Sequence, residues 1–103
     1  MISVQVSYTV KPEFVLQNKQ NINTFLSDFK KLQHANFLYN VFLKEDGLTF
    51  LHVSMYENEE VQQQVLNVPS FLQFQKERDE SGLNDSHKIE NITLIGSSLS
   101  LIS

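Results

Sequence analysis

The sequence places an asparagine, a histidine and a tyrosine in two neighbouring apolar segments, and together these side chains could carry out acid-base chemistry. They are Asn40, His52 and Tyr56. If Lys44 pairs with Leu48 across the turn between the segments, all three lie on one face of a hairpin. His52 can then take a proton from a substrate, while the amide and the phenol donate hydrogen bonds to the anion that forms. The spacing therefore predicts that these three residues are catalytic.

The same pairing provides candidate ligand-binding residues. Phe42 lies opposite Phe50, and the two rings would form apolar walls for a small molecule. Arg78, the only arginine, is a candidate for binding an anionic group of that ligand. A structural role is the alternative, because polar groups on a sheet that faces a partner are often satisfied interface groups. The stem of an arginine also often packs while its head stays in water. Both interpretations remain open at this point.

Several other chemistries lack the residues that they require. The chain has no cysteine, which excludes a thiol nucleophile, a disulfide framework and a cysteine-based zinc site. His34 and His87 fall in predicted loops and have no partner at a metal-binding spacing. The three glycines are isolated, so they form neither a phosphate loop nor a dinucleotide fingerprint. We therefore expect no metal site and no cofactor.

Length and charge restrict the class of protein further. A chain of 103 residues suffices for a single domain, 1–103, with its own core. Twelve acidic and eight basic residues give a net charge of -4, and the basic residues are dispersed, so nucleic acid is not an expected partner. No apolar run approaches the roughly 20 residues that span a bilayer, and the N-terminus lacks a basic signal-peptide region. Together with the absence of cysteine, this predicts a cytoplasmic protein that does not bind membranes.

The first half of the sequence predicts a strand, a long helix and a hairpin. Apolar and polar residues alternate over residues 2 to 10, which is the pattern of a half-buried strand. Apolar residues at helical spacing, following a proline that suits a first turn, predict a helix over residues 12 to 32. Aromatic and β-branched runs at 37 to 44 and 48 to 57 flank a turn that contains Gly47.

The second half predicts two short helices and a last strand. Asn58 is a suitable N-cap for the first helix, and Pro69 separates it from the second. Gly82 is a candidate C-cap for the second helix. Residues 88 to 96 predict a strand whose register the pattern does not determine. The tail at 97 to 103 could prolong that strand or reach a partner chain.

This order of elements, βαββαβ, predicts an α+β fold with an antiparallel sheet and helices on one face only. We assign the more continuously apolar face of the hairpin to the helices; its residues are Phe37, Tyr39, Val41, Leu51, Val53 and Met55. The face with Asn40 and His52 then has no cover within the chain. An uncovered sheet face with large apolar residues predicts a homodimer, in which a second copy of the chain covers it.

Residues 50 to 75, FLHVSMYENEEVQQQVLNVPSFLQFQ, resemble the antibiotic biosynthesis monooxygenase (ABM) domain family of dimeric α/β barrels. Members of that family have an aromatic residue at the end of the third strand, a polar-acidic helix start and a run with proline and phenylalanine. The matching positions here are Tyr56, Asn58-Glu59-Glu60, and Pro69-Ser70-Phe71 with Phe74. The resemblance implies a ferredoxin-like fold and a homodimer whose two sheets face each other.

The sequence departs from the family pattern at three positions. Val65 stands where a histidine is often found, Ser54 where an acidic residue is common, and Tyr56 where tryptophan is usual. A heme-degrading branch of the family uses an Asn-Trp-His set. This chain has no tryptophan, so heme degradation is disfavoured.

Two functions are consistent with these observations. The resemblance implies a cofactor-independent monooxygenase, or a related enzyme that modifies a small aromatic or enolisable molecule. The alternative is a non-catalytic homodimer of the same fold that binds a small molecule or another partner, which the missing family residues favour. The ligand site lies either in the dimer barrel or between the helices and the sheet, and the pattern does not distinguish the two.

Overall fold

The chain folds into one antiparallel sheet and a layer of helices. The structure, a computed structural model, describes residues 1–85 and 87–99. The strands are β1 (Ile2–Thr9), β2 (Phe37–Leu43), β3 (Thr49–Tyr56) and β4 (Lys88–Ile92), and the helices are α1 (Val15–Phe29), α2 (Glu59–Leu66) and α3 (Pro69–Glu77). The strands lie in the order β2-β3-β1-β4. This arrangement confirms the predicted α+β fold.

Aromatic side chains of α1 and α3 fill the space over one face of the sheet. Phe25 and Phe29 of α1 and Phe71 and Phe74 of α3 are buried in one core cluster with residues of the strands. The ring centroid of Phe25 lies 5.1 Å from that of Phe71 and 4.9 Å from that of Phe74. Because these residues recur every three or four positions, each helix presents one apolar stripe to the sheet.

Local signals determine where the helices begin. The predicted helix at 12–32 is a 3₁₀ turn, Pro12–Phe14, followed by the shorter helix α1. The side chain of Asn58 accepts a hydrogen bond from the backbone N of Val61 at 2.9 Å, as expected for the N-cap of α2. Pro69 begins α3, where its fixed φ suits the first turn.

The turn between β2 and β3 is one residue longer than the sequence predicts. Lys44 pairs with Thr49 rather than with Leu48, and its backbone N lies 2.8 Å from the Thr49 carbonyl oxygen. Asp46 explains the difference, because its carboxylate accepts hydrogen bonds from the backbone N of Leu48 and of Thr49, each at 2.8 Å. These bonds hold Leu48 inside the turn. Gly47 has a φ of 71°, which favours glycine.

The longer turn moves β3 by one residue against β2 and turns its side chains to the other face. His52 pairs with Val41, so the predicted pairing of Asn40 with His52 is wrong. The helix side of the hairpin carries Phe50, His52 and Tyr56, and the open side carries Asn40 and Phe42 together with Leu51, Val53 and Met55. The predicted grouping of Asn40, His52 and Tyr56 on one open face is therefore also wrong.

The open face of the sheet has an apolar half and a polar half. β2 and β3 contribute mainly apolar residues, Leu38, Phe42, Leu51, Val53 and Met55, with Asn40 among them, whereas β1 and β4 contribute mainly polar residues, Ser3, Gln5, Ser7, Lys88 and Glu90, with Ile92 at the end. Phe42 is 53% exposed. A cavity of about 350 Å³ lies on the apolar half, and residues 92–95 form one of its walls.

The last strand is shorter than predicted. β4 ends at Ile92 instead of residue 96 and pairs with β1, so that Ser3 lies opposite Ile92 and Ser7 opposite Lys88. Residues 100–103 of the predicted tail lie outside the described residues. Among the helices that the structure describes, none has the length and apolar character needed to cross a membrane.

Candidate active site

His52 lies at the centre of a buried polar network. Its side chain is 2% exposed and points from β3 toward the helices. Its Nε2 lies 2.7 Å from the hydroxyl of Tyr8, and its Nδ1 lies 2.7 Å from the hydroxyl of Tyr39. Strand register explains both contacts. The direct neighbours of His52 are Val6 on β1 and Val41 on β2, and each tyrosine lies two residues from one of them on the same face.

Helix α1 adds a fourth member to this network. Asn18 is fully buried, and its Nδ2 donates a hydrogen bond to the Tyr8 hydroxyl at 3.0 Å. The Oδ1 of Asn18 has no hydrogen-bond partner among the described residues. We call Asn18, Tyr8, His52 and Tyr39 the polar network. Because it spans a helix and three strands, it fixes α1 against the sheet at the level of His52.

Burial keeps every member of the polar network neutral near pH 7. Burial and, to a smaller extent, the positive charge of Arg78 together lower the pKa of His52 from 6.5 to about 3. Burial also raises the pKa of Tyr8 and of Tyr39 well above the usual value for a phenol. The imidazole is therefore uncharged, with one donor and one acceptor nitrogen.

Arg78 provides the charge next to this network. It is 4% exposed, and its guanidinium carbon lies 5.1 Å from the ring centroid of Tyr8 and 5.3 Å from that of Phe74. Its Nε donates to the carboxylate of Asp79 at 2.9 Å, and Asp79 is half exposed. The two aromatic faces stabilise the cation where little water reaches it.

A π-helical turn, Arg78–Gly82, holds Arg78 in this position. The backbone N of Lys11 donates to the Gly82 carbonyl at 2.8 Å, which ties the turn to the end of β1. A Cβ atom at Gly82 would lie 2.4 Å from the ring of Phe14, so only glycine allows this close packing. The predicted role of Gly82 as a helix C-cap is wrong, because Gly82 is the last residue of the π-helical turn and Leu83 is its C-cap.

A small cavity opens beside His52 and Arg78, between α3 and the sheet. It has a volume of about 50 Å³, and Tyr39, Phe74 and His87 also line it. Sites for drug-sized ligands occupy about 300–1,000 Å³, so a ligand of that size fits this cavity only if side chains around it move. The side chain most able to move is Ile89 on β4, which also lines the cavity and is 61% exposed.

Of the six residues predicted for the site, the structure brings His52 and Arg78 together at this cavity. Phe50 stacks on Tyr8 with ring centroids 5.7 Å apart, and Tyr56 is buried against Phe37. Neither lines the cavity, and Asn40 and Phe42 lie on the opposite face of the sheet. The catalytic and binding roles of these residues remain predictions.

Three members of the polar network were not identified from the sequence. The predicted position of Tyr39 on the helix side is correct, but the sequence predicts His52 on the other face, which separates the two residues. Tyr8 belongs to the regular alternation of β1, a pattern that predicts a buried strand face and gives no sign of a polar partner. Asn18 gave the clearest signal, because it is a polar residue three positions after Val15 and four before Ile22, on an otherwise apolar helical stripe.

Potential metal ligands do not gather in the parts of the chain that the structure describes. Across residues 1–85 and 87–99, no group of three or more histidine, cysteine, aspartate or glutamate side chains could hold a metal ion.

With its single sheet and one helical layer, the molecule is a ferredoxin-like α+β domain, and it has the fold of ABM domain proteins. An antibiotic biosynthesis monooxygenase of known crystal structure superposes with a TM-score of 0.80 at 9% identity, over 93% of this chain and 100% of that one. A Nitrosomonas europaea protein that is also named as an antibiotic biosynthesis monooxygenase, on a provisional basis, gives a TM-score of 0.80 at 11% identity, over 93% of this chain and 100% of that one. Rv0793 from Mycobacterium tuberculosis gives 0.78 at 10% identity, over 95% and 98%.

The similarity in fold has no counterpart in sequence comparisons. No protein-family model matches the chain, and no curated protein matches it. The similarity predicted from residues 50 to 75 is thus confirmed for the fold.

Proposed function

We propose that this chain is a cofactor-independent monooxygenase, or a closely related enzyme, that modifies a small aromatic or enolisable molecule between its helices and its sheet. The observation that carries the proposal is the buried cation of Arg78 beside the polar network, at a cavity walled by aromatic rings. Groups with strongly shifted pKa values that meet in a cleft are typical of active sites. The shared fold with a protein named as a monooxygenase adds support.

Arg78 is suited to the first step of this chemistry. An activated methylene or a phenol loses a proton, and the resulting anion is electron-rich enough to reduce O₂. The substrate supplies all the electrons, so that a methylene becomes a carbonyl and the second oxygen atom leaves as water. A buried guanidinium stabilises the anion strongly, since little solvent screens the two charges.

His52 as the general base is the part of the proposal most sensitive to electrostatics. With a pKa of about 3, the free imidazole takes a proton only from an acidic substrate. A substrate anion bound beside it would raise its pKa and make proton transfer easier. His52→Gln keeps a polar side chain at the position and removes the titrating group.

Measuring oxygen uptake by protein freed of metal ions tests the proposed cofactor-independent oxygenase activity. We expect uptake with at least one member of a panel of anthrones, naphthols and 1,3-diketones, and a loss of about a hundredfold in Arg78→Ala. Lys76→Ala is the matched control, since Lys76 is an exposed cation two residues before Arg78, in the last turn of α3. If the panel binds to the protein and none of its members is oxidised, the proposal fails.

That result would instead support the alternative, a non-catalytic homodimer that binds a small molecule. A specific observation favours this alternative: both ring nitrogens of His52 are already bonded to tyrosines, which leaves no free nitrogen to act as a base.

We also propose that a second copy of the chain covers the open face of the sheet. Phe42 is 53% exposed there, next to the cavity of about 350 Å³ on the apolar half. Light scattering should show a dimer at micromolar concentration and a monomer for Phe42→Glu. Leu16→Glu is the control, because Leu16 is 69% exposed on α1, away from the open face. A monomeric wild type would contradict this part of the proposal.

A further inference from the structure

We infer that the polar network has one direction of hydrogen bonding, which fixes His52 with its proton on Nδ1 and leaves the hydroxyl proton of Tyr39 available to a ligand. Tyr39 then donates a hydrogen bond to an acceptor oxygen of that ligand, such as a carbonyl, phenolate or enolate oxygen. The ligand part rests on the proposed function of the cavity, whereas the position of the proton does not.

The first step concerns the imidazole. Neutral histidine has one nitrogen that donates and one that accepts. Both nitrogens of His52 lie 2.7 Å from a phenol oxygen, that of Tyr8 at Nε2 and that of Tyr39 at Nδ1. One phenol must therefore donate to the ring, and the other must accept from it.

The second step decides which phenol donates. The Tyr8 oxygen already accepts a hydrogen bond from Nδ2 of Asn18. If it also accepted from Nε2 of His52, its own hydroxyl proton would be left without an acceptor at a residue that is 2% exposed. With the Asn18 amide oriented so that its Nδ2 faces Tyr8, Tyr8 donates to Nε2, and the imidazole carries its proton on Nδ1.

The third step follows for Tyr39. Its oxygen accepts from Nδ1 of His52, which is the one hydrogen bond that the Tyr39 hydroxyl makes to the described residues. Its own proton is thus free to point elsewhere. Because Tyr39 lines the same cavity as Arg78, an oxygen bound there meets a neutral donor and a cation together.

This assignment changes the role of three residues. Asn18, Tyr8 and His52 become positioning residues, since they set the orientation of the Tyr39 hydroxyl and do not themselves need to touch the ligand. Tyr39 becomes the residue in contact with it. With Nε2 accepting from Tyr8 and Nδ1 donating to Tyr39, His52 has no lone pair for a substrate proton, so the inference keeps the proposed cavity and replaces the general-base role proposed for His52.

Nitrogen NMR of protein labelled with ¹⁵N-histidine tests the proton position without any ligand. We expect the His52 signals of a protonated Nδ1 and an unprotonated Nε2 near pH 7, and the spectrum of His52→Gln identifies them. A protonated Nε2 with an unprotonated Nδ1 would overturn the assignment. So would a doubly protonated ring, because both nitrogens would then donate.

Binding of 4-nitrophenolate, whose absorption reports hydrogen bonds to its oxygen, tests the role of Tyr39. We expect Tyr39→Phe to weaken binding about tenfold and to lose most of the absorption shift. Tyr56→Phe is the control, because Tyr56 is another tyrosine on the helix side and does not line the cavity. Equal binding and equal shifts in wild type and Tyr39→Phe would refute donation by Tyr39.

The two measurements separate the inference from the proposal on which it rests. Failure of the wild type to bind 4-nitrophenolate would overturn both the proposed cavity and the donation by Tyr39. The NMR result would still decide the position of the His52 proton.

Discussion

The two faces of the sheet come from the same four strands and treat their polar side chains in opposite ways. On the helix side, polar groups are buried and bonded to one another, as with His52 between Tyr8 and Tyr39. On the open side, Asn40 is exposed, and large apolar residues such as Phe42 are exposed with it. Electrostatic interactions are stronger where water is excluded, which is why we propose chemistry on the helix side, here also called the covered face, and association on the open one.

The largest expected difference between the faces is in stability. Phe25 is fully buried among the helix-side aromatic residues, so Phe25→Ala should lower the free energy of unfolding by about 3–5 kcal/mol. Phe42→Ala on the open face should cost less than about 1 kcal/mol when the protein is monomeric. Urea unfolding at low protein concentration measures both values. A cost at Phe42 equal to that at Phe25 would show that the open face is not open in solution.

Acid should lower the free energy of unfolding because His52 is buried in its neutral form on the covered face. Its pKa falls from 6.5 to about 3 on folding, so between these values the unfolded chain binds more protons and the folded state loses stability as the pH falls. Above pH 6.5 the imidazole is neutral in both the folded and the unfolded state, so this group causes no loss of stability there. At pH 4, the free energy of unfolding should be lower by about 3 kcal/mol from this group alone.

Comparing wild type with His52→Gln separates the acid-induced loss of stability that comes from His52 from the loss that comes from the carboxylates. Unfolding at pH 7 and at pH 4 should show a smaller acid effect in His52→Gln. His34→Asn is the control, because His34 is exposed and asparagine tolerates its φ of 59°. An identical acid effect in wild type and His52→Gln would mean that the imidazole is not held neutral by burial.

A smaller effect is expected at the turn that carries Arg78 to the covered face. Gly82→Ala brings a Cβ within 2.4 Å of the Phe14 ring and should cost about 1–3 kcal/mol through overpacking. Gly96→Ala is the control, since nothing lies within 4 Å of its Cβ position. Thermal unfolding of the two variants should differ clearly, and equal melting temperatures would show that the π-helical turn has room to relax.

The smallest effect should come from the turn that sets the register of the two faces. Asp46→Ala removes the acceptor for the backbone N of Leu48 and of Thr49 on an exposed turn. We expect a small fall in melting temperature compared with the exposed neighbour Glu45→Ala. Spectra showing that His52 has left the helix side in Asp46→Ala would mean that this carboxylate alone determines the register.

Local patterns were sufficient to predict the elements but not the way two of them pair. The alternation of β1, the N-cap at Asn58 and the break at Pro69 each depend on a few adjacent residues, and each was found as expected. The hairpin register depended on whether the turn holds three or four residues. The sequence of the turn permits both, and the hydrogen bonds that Asp46 accepts from the backbone of Leu48 and of Thr49 stabilise the four-residue turn.

That one-residue difference also explains why the candidate site was only partly predicted. His52 and Arg78 were chosen for their chemistry, and the structure places both at the cavity. Asn40 was chosen through the pairing with His52 and falls on the other face. Tyr39 and Asn18 become visible as members of the network only when three-dimensional packing is known, because Tyr39 meets His52 across two strands and Asn18 meets Tyr8 between helix and sheet.

Every member of the polar network and the neighbouring arginine belong to a single polypeptide. If two copies associate through their open faces, each therefore keeps a whole site of its own. Ligand should then bind with a stoichiometry of one per chain, and the affinity of one copy should be independent of occupancy in the other. Dilution that separates the copies should leave that affinity unchanged.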